Sequence, residues 1–241
     1  MLVGQPAGHK PATEATPVQP ATASGFWRRC DVPGHDAARL HRAASGWRLT
    51  GTAIFHEAGQ PACLHYNVHL DASWATLSAN VSGYVGNDDI EHEVSRTTRG
   101  WTHNGHLVEG LDDLMDIDFG FTPATNLPQI RRMALGIGQA AEIEVAWLDS
   151  NSKSLSRLLQ RYERRTTDTY WYESPSASYS AMLQLSDDGF VNDYPTLWRQ
   201  DQNPGTLGPS EFNANQQAHT APIRSLAKND RVLTPRRKQW R

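Results

Sequence analysis

Residues 47–71 read WRLTGTAIFHEAGQPACLHYNVHLD. Two extended runs rich in β-branched and aromatic residues flank a Gly59-Gln60-Pro61 turn, which is the spacing of two antiparallel strands and a short loop. Downstream, SWATLSANVSGYVG (73–86) continues in small, β-branched and aromatic residues. VSRTTRGWTHNGHLVEG (94–110) places Asn104-Gly105 between two extended runs, a strong short-range hairpin signal. AAEIEVAWLD (140–149) alternates, with Ile143, Val145 and Trp147 on one face. ASYSAMLQLSDDGFVNDYP (177–195) carries Asp188-Gly189 between strand-like runs, a further hairpin signal. Many short strands at close spacing, with no βαβ alternation and no Gly-rich phosphate loop, predict an all-β sheet, roll or barrel.

Two segments fit that pattern less directly. DAARLHRAA (36–44) is short and Ala-rich and reads as a helical turn. In SLSRLLQRYERRTT, Leu155, Leu158, Leu159 and Tyr162 form a helical stripe, so period alone predicts a helix over 153–163. The following TDTYWYES is strand-like.

The 241 residues are 38% hydrophobic and 20% charged, which excludes wholesale disorder. No stretch approaches the ~18 consecutive apolar residues of a membrane span. The N-terminus has no apolar signal region, so a cytoplasmic location is expected. Cys30 and Cys63 alone make neither a disulfide framework nor a zinc site. Residues 1–23 and 201–241 are rich in Pro, Ala, Thr, Gln and Asn and are expected to be disordered, leaving one domain at 24–200. The formal charge of −3 is uneven, because 201–241 carries seven Lys/Arg against three Asp/Glu. That basic tail lacks interleaved stacking aromatics, so no nucleic-acid partner is expected.

The chemistry-bearing stretch is DDLMDIDFGFTPATNLPQIRR, 112–132. On a strand, Asp116 and Asp118 share one face. Such a pair can hold a divalent cation or divide acid–base work, and buried carboxylates need a partner, for which Arg131-Arg132 is the nearest dense source. On a strand only one of those two arginines can reach the aspartate face. Thr122-Pro123-Ala124-Thr125-Asn126 reads as a stiff turn. With Arg131 and Arg132 it offers a polar patch suited to a sugar or phosphate head group. His65/His69 and His103/His106 are spaced so that either pair could meet, but neither has a third metal ligand in sequence. No nucleophile elbow, Cys–His signature or H-E-x-x-H motif occurs, so no cofactor and no catalytic residue is assigned. The default home of Trp47, Trp74, Trp101 and Trp147 is a β core.

The run DIDFGFTPATN-LP-IRRMAL, with RGWTHNG upstream and QRYER and DGFVNDYP downstream, resembles the bacterial family described as "putative glycolipid-binding". The shared pattern falls on Asp116/Asp118, Thr122–Asn126, Leu127–Arg132, Gln160/Tyr162 and Gly189–Pro195, with Gly51, Tyr66 and Trp74 upstream. Two departures stand out. The family's Asn-Thr-Leu-Pro-Ile appears here as Asn126-Leu127-Pro128-Gln129-Ile130, and a Pro usual before the Gln-x-Tyr strand is absent. The resemblance implies a long antiparallel sheet curled into a spiral β-roll or half-barrel, with at most one or two short helices, similar in shape to periplasmic lipoprotein carriers. It favours strand over helix for 153–163. It also implies non-catalytic binding of an amphipathic small molecule, a glycolipid or lipid, in the concavity. The candidate ligand residues are Trp101, Asp116, Asp118, Thr122, Thr125, Asn126, Arg131, Arg132, Tyr162 and Tyr194. The alternatives are an enzyme acting through Asp116/Asp118 on a sugar or lipid, and a protein-interaction module.

Overall fold

The structure, a computed structural model, describes residues 21–201. Both expected tails lie outside these residues, apart from the first strand's start at Ala21 and Asp201. Eight strands run as an up-and-down meander: β1 (Ala21–Arg29), β2 (Gly34–Ala43), β3 (Gly46–Glu57), β4 (Gln60–Asp71), β5 (Thr76–Val85), β6 (Asp88–Thr97), β7 (Gly100–His103) and β8 (His106–Leu107). The chain then crosses to β9 (Ile117–Phe119) and α1 (Asn126–Met133). A second meander follows: β10 (Ala140–Leu148), β11 (Ser156–Arg164), β12 (Thr169–Ser174), β13 (Tyr179–Leu185), β14 (Val191–Tyr194) and β15 (Trp198–Gln200). A 3-10 turn at Pro175–Ala177 joins β12 to β13.

The strands of the described residues form one 15-stranded sheet in the order β8-β7-β6-β5-β4-β3-β2-β1-β15-β14-β13-β12-β11-β10-β9. The first and last strands pair, Arg28 opposite Arg199, and so unite the two meanders. Every pairing is antiparallel except β9 on β10. β8 and β9 end the order, so the curled sheet stays open. The fold is the all-β curled sheet the sequence and its resemblance predict.

Tight turns set the register. Asn104 and Gly105 both have positive φ, 49° and 80°, as a two-residue type I′ hairpin demands. The β3–β4 turn sits one residue earlier than expected, on Ala58-Gly59, with φ 48° and 80°. Gln60 and Pro61 instead pair with Glu57 and His56.

Residues 36–44 form strand rather than a helical turn, because Asp36, Ala38 and Leu40 alternate inward along β2. Their alternation was hidden by a buried acid and by alanines on both faces. Residues 156–164 are likewise strand, not helix. There the inward positions are Gln160 and Tyr162, so polarity did not mark the face.

Inside the curl lies the segment 116–130, buried at every position except Gly120. Phe119 and Phe121 pack edge-on against Tyr66 of β4, at ring centroid distances of 6.0 and 6.1 Å. On the other side the same segment bonds to β11. It is a plug held between the two meanders. Its helix α1 begins at Asn126, so Arg131 and Arg132 stand on a helix rather than on a strand. Pro128 fits in the first turn, where its missing N–H would have no intrahelical partner anyway.

Candidate functional site

The plug is fastened by buried polar bonds. Arg132 forks onto Asp116, with Nη2 2.6 Å and Nε 2.9 Å from the carboxylate oxygens. Asp118 has no cation. Its Oδ1 accepts from Thr125 Oγ1 at 2.6 Å and its Oδ2 from Gln160 Nε2 at 2.7 Å. The cation expected for the pair thus reaches Asp116 alone, through Arg132, while Asp118 is met by neutral donors. Burial pushes its pKa up to about 6, against the lowering effect of those hydrogen bonds. Asn126 Nδ2 donates to the Tyr162 hydroxyl at 2.8 Å, and that hydroxyl donates to Gln129 Oε1 at 2.9 Å.

A matching cluster holds the other side. Asp36 accepts from the Tyr66 hydroxyl at 2.9 Å and from Thr122 Oγ1. Burial pushes Asp36 up to about 7. Gly51 makes this possible, since a Cβ there would lie 2.2 Å from the Tyr66 hydroxyl oxygen. Asp36 was missed in the sequence. Its only signal is an inward position on a strand that itself was read as a helical turn.

Between the plug and the second meander lies a cleft of about 450 Å³. The plug contributes Asp118, Phe119, Thr122 and Asn126. The sheet contributes Trp147, Leu158, Tyr172, Tyr194 and Trp198, with Tyr179 beside them. The tyrosines form one group, with ring centroids 5.6 Å apart for Tyr172–Tyr194 and 5.3 Å for Tyr179–Tyr194. Burial raises the pKa of each phenol, so all are neutral donors at physiological pH. The exposed lining residues Ser156, Arg157, Ser176 and Ala177 mark the opening.

Of the candidate ligand residues, Asp118, Thr122, Asn126 and Tyr194 line this cleft. Thr125 and Tyr162 stand one hydrogen bond behind it. Asp116 and Arg132 brace the plug from outside the lining. Arg131 turns away, donating to the Asp188 carbonyl at 2.9 Å beside a separate polar depression. Trp101 is fully buried elsewhere, its Nε1 donating to the Leu114 carbonyl at 3.0 Å. Sequence reading left out Tyr172, Tyr179, Trp198 and Ser174 and assigned Trp147 to the core. Alternation in TDTYWYES was the available signal, since it puts Tyr170, Tyr172 and Ser174 on one inward face. Trp47 and Trp74 are half-buried and stacked on each other at 4.4 Å.

His103 meets His92 at 2.8 Å across β6 and β7, while His65 bonds Thr52 and His69 bonds Asn67. Among the described residues no group of three or more His, Cys, Asp or Glu is placed to hold a metal ion. No helix among them is long and apolar enough to cross a membrane.

A family model described as "Putative glycolipid-binding" matches residues 25–200. The crystal structure of a DUF1089 family protein from Pseudomonas aeruginosa superposes with a TM-score of 0.60 at 24% identity, covering 79% of this chain and 99% of that one. No curated protein matches the sequence.

Proposed function

The chain belongs to the family described as "putative glycolipid-binding", and from that premise we propose that it binds an amphipathic small molecule, a lipid or glycolipid, in the cleft between plug and second meander. The observation that carries this is the cleft itself: about 450 Å³, within the range of small-molecule sites, with aromatic and aliphatic walls and a few convergent polar groups. Tyrosine and tryptophan suit such a ligand because each presents an apolar body with a polar tip.

The enzyme reading loses its pair, since Asp116 is spent on Arg132 and does not line the cleft. It retains one point in its favour, the cleft-lining Asp118 with its raised pKa.

Native mass spectrometry of protein purified from its own host tests the proposal. The expected result is a co-purifying amphiphile that is absent from Leu158→Trp, whose added ring fills the cleft. An adduct that persists in that variant, or wild-type protein that never carries or takes up an amphiphile, would overturn it.

A further inference from the structure

The charges around the cleft are lopsided. Its ionisable lining consists of Asp118 and Asp149 against Arg157, apart from the tyrosines. Arg157 is already committed. Its Nη1 reaches Glu144 and Asp113, its Nη2 reaches Asp113 and the Gly110 carbonyl, and its Nε donates to that same carbonyl at 3.2 Å. No uncommitted cation therefore faces the cleft among the described residues. An anionic head group entering here would lose its water beside two carboxylates and gain no partner.

Hydroxyl chemistry is plentiful by contrast. Ser174 lines the cleft, is only 3% exposed, and its Oγ makes no hydrogen bond of good geometry, although the Tyr172 hydroxyl lies beside it. A buried hydroxyl left unsatisfied is costly and calls for an explanation. Tyr172, Tyr179 and Tyr194 bring three neutral phenols to the same cavity, and Tyr179 donates to the Pro195 carbonyl at 2.6 Å. The cleft also gives a cation little. Both oxygens of Asp118 already accept hydrogen bonds.

Resting on the ligand reading above, we propose that the cleft selects amphiphiles with an uncharged, hydroxyl-bearing head group, excludes anionic ones, and uses Ser174 Oγ as a head-group contact. The selectivity comes from what lines the cavity, so it holds for any tail the walls accept.

Three probes of equal tail length isolate the head group: n-octyl β-D-glucoside, n-octyl phosphate and n-octyltrimethylammonium, each below its micelle concentration. Trp147 and Trp198 line the cleft and supply the fluorescence signal. The glucoside is expected to bind at least tenfold more tightly than the phosphate, and more tightly than the ammonium. Ser174→Ala is expected to weaken glucoside binding several-fold while raising the thermal midpoint, a combination that a merely structural serine would not give. Asp149→Asn, at the same pH, is expected to narrow the gap between glucoside and phosphate. Equal or tighter binding of the phosphate or the ammonium, with signals lost in Leu158→Trp, would overturn the selectivity and leave the lipid-binding reading standing. No binding of any probe, with Leu158→Trp indistinguishable from wild type, would overturn both.

Discussion

The two meanders present different inner faces to one plug. The first offers Ala38, Leu40, Leu49, Ala53, Leu64, Val68 and Val81, and it shuts on Phe119 and Phe121. Its polar insertion, Asp36 with Tyr66, is closed by Thr122. The second offers aliphatic positions too, such as Val145, Leu148 and Leu183, but adds Gln160, Tyr162, Tyr172, Ser174, Tyr194 and Trp198. Aliphatic side chains of mixed size interdigitate to crystal-like density. Flat rings with polar tips leave a gap where they converge, here about 450 Å³. Closure and cavity thus follow from side-chain type on an otherwise continuous sheet.

The contrast breaks most visibly on tryptophan. Trp101→Ala, in the closed half, is expected to lower unfolding free energy by about 3–5 kcal/mol. Trp147→Ala removes a half-exposed ring beside existing space and is expected to cost less than about 2 kcal/mol, with amphiphile binding reduced. Equal losses in denaturant titrations would show that the two halves are packed alike.

Tyrosine hydroxyls sharpen the same contrast at smaller scale. Tyr66→Phe withdraws a donor from buried Asp36 and is expected to cost about 1–3 kcal/mol. Tyr172→Phe is expected to stay within about 0.5 kcal/mol of wild type in stability and to act on ligand binding instead. A large stability loss from Tyr172→Phe would place its hydroxyl among the fold's supports.

Acidity separates the halves more subtly. Asp36 has its folded pKa raised from 3.8 to about 7, so the folded state holds a proton that the unfolded state releases between those values. Its contribution to stability is therefore fully present below about pH 4 and lost as pH rises through about 7. Asp118 acts with the same sign up to about 6. His92 and His103, lowered mainly by burial, oppose this by favouring the folded state as pH rises. Wild type alone mixes these signs, so Asp36→Asn should be compared with it across pH 5–8. The variant is expected to gain on wild type as pH rises, by at most about 1.4 kcal/mol per pH unit. A difference independent of pH would mean that Asp36 keeps an ordinary carboxylate pKa.

Strand positions were legible wherever hydrophobicity alternated or a turn dipeptide punctuated the chain, as at Asn104-Gly105. They were illegible where an inward position held a polar residue. Asp36 on β2 and Gln160 on β11 both disguised their strands, and each hydrogen-bonds to the plug, Asp36 accepting and Gln160 donating. The plug was legible as a cluster of chemistry-bearing residues, but its burial was not. Nothing local distinguishes an Asp-x-Asp open to solvent from one enclosed by strands far away in sequence. The aromatic wall of the cleft was obscured for a related reason. A tyrosine on an inward strand face reads as core until the opposite side is known to be missing.

The pairing of β1 with β15 has a consequence for synthesis on the ribosome. Trp27 donates from Nε1 to the Val191 carbonyl, a partner 164 residues later in the chain. The first meander can form as it emerges, since its hairpins are local. Its leading strand, however, keeps an unpaired backbone edge until the last strand is made. Such an edge is a template for pairing with another nascent chain. Translation halted before residue 198 would leave that edge open, and chains so truncated are expected to need a chaperone that the finished protein does not.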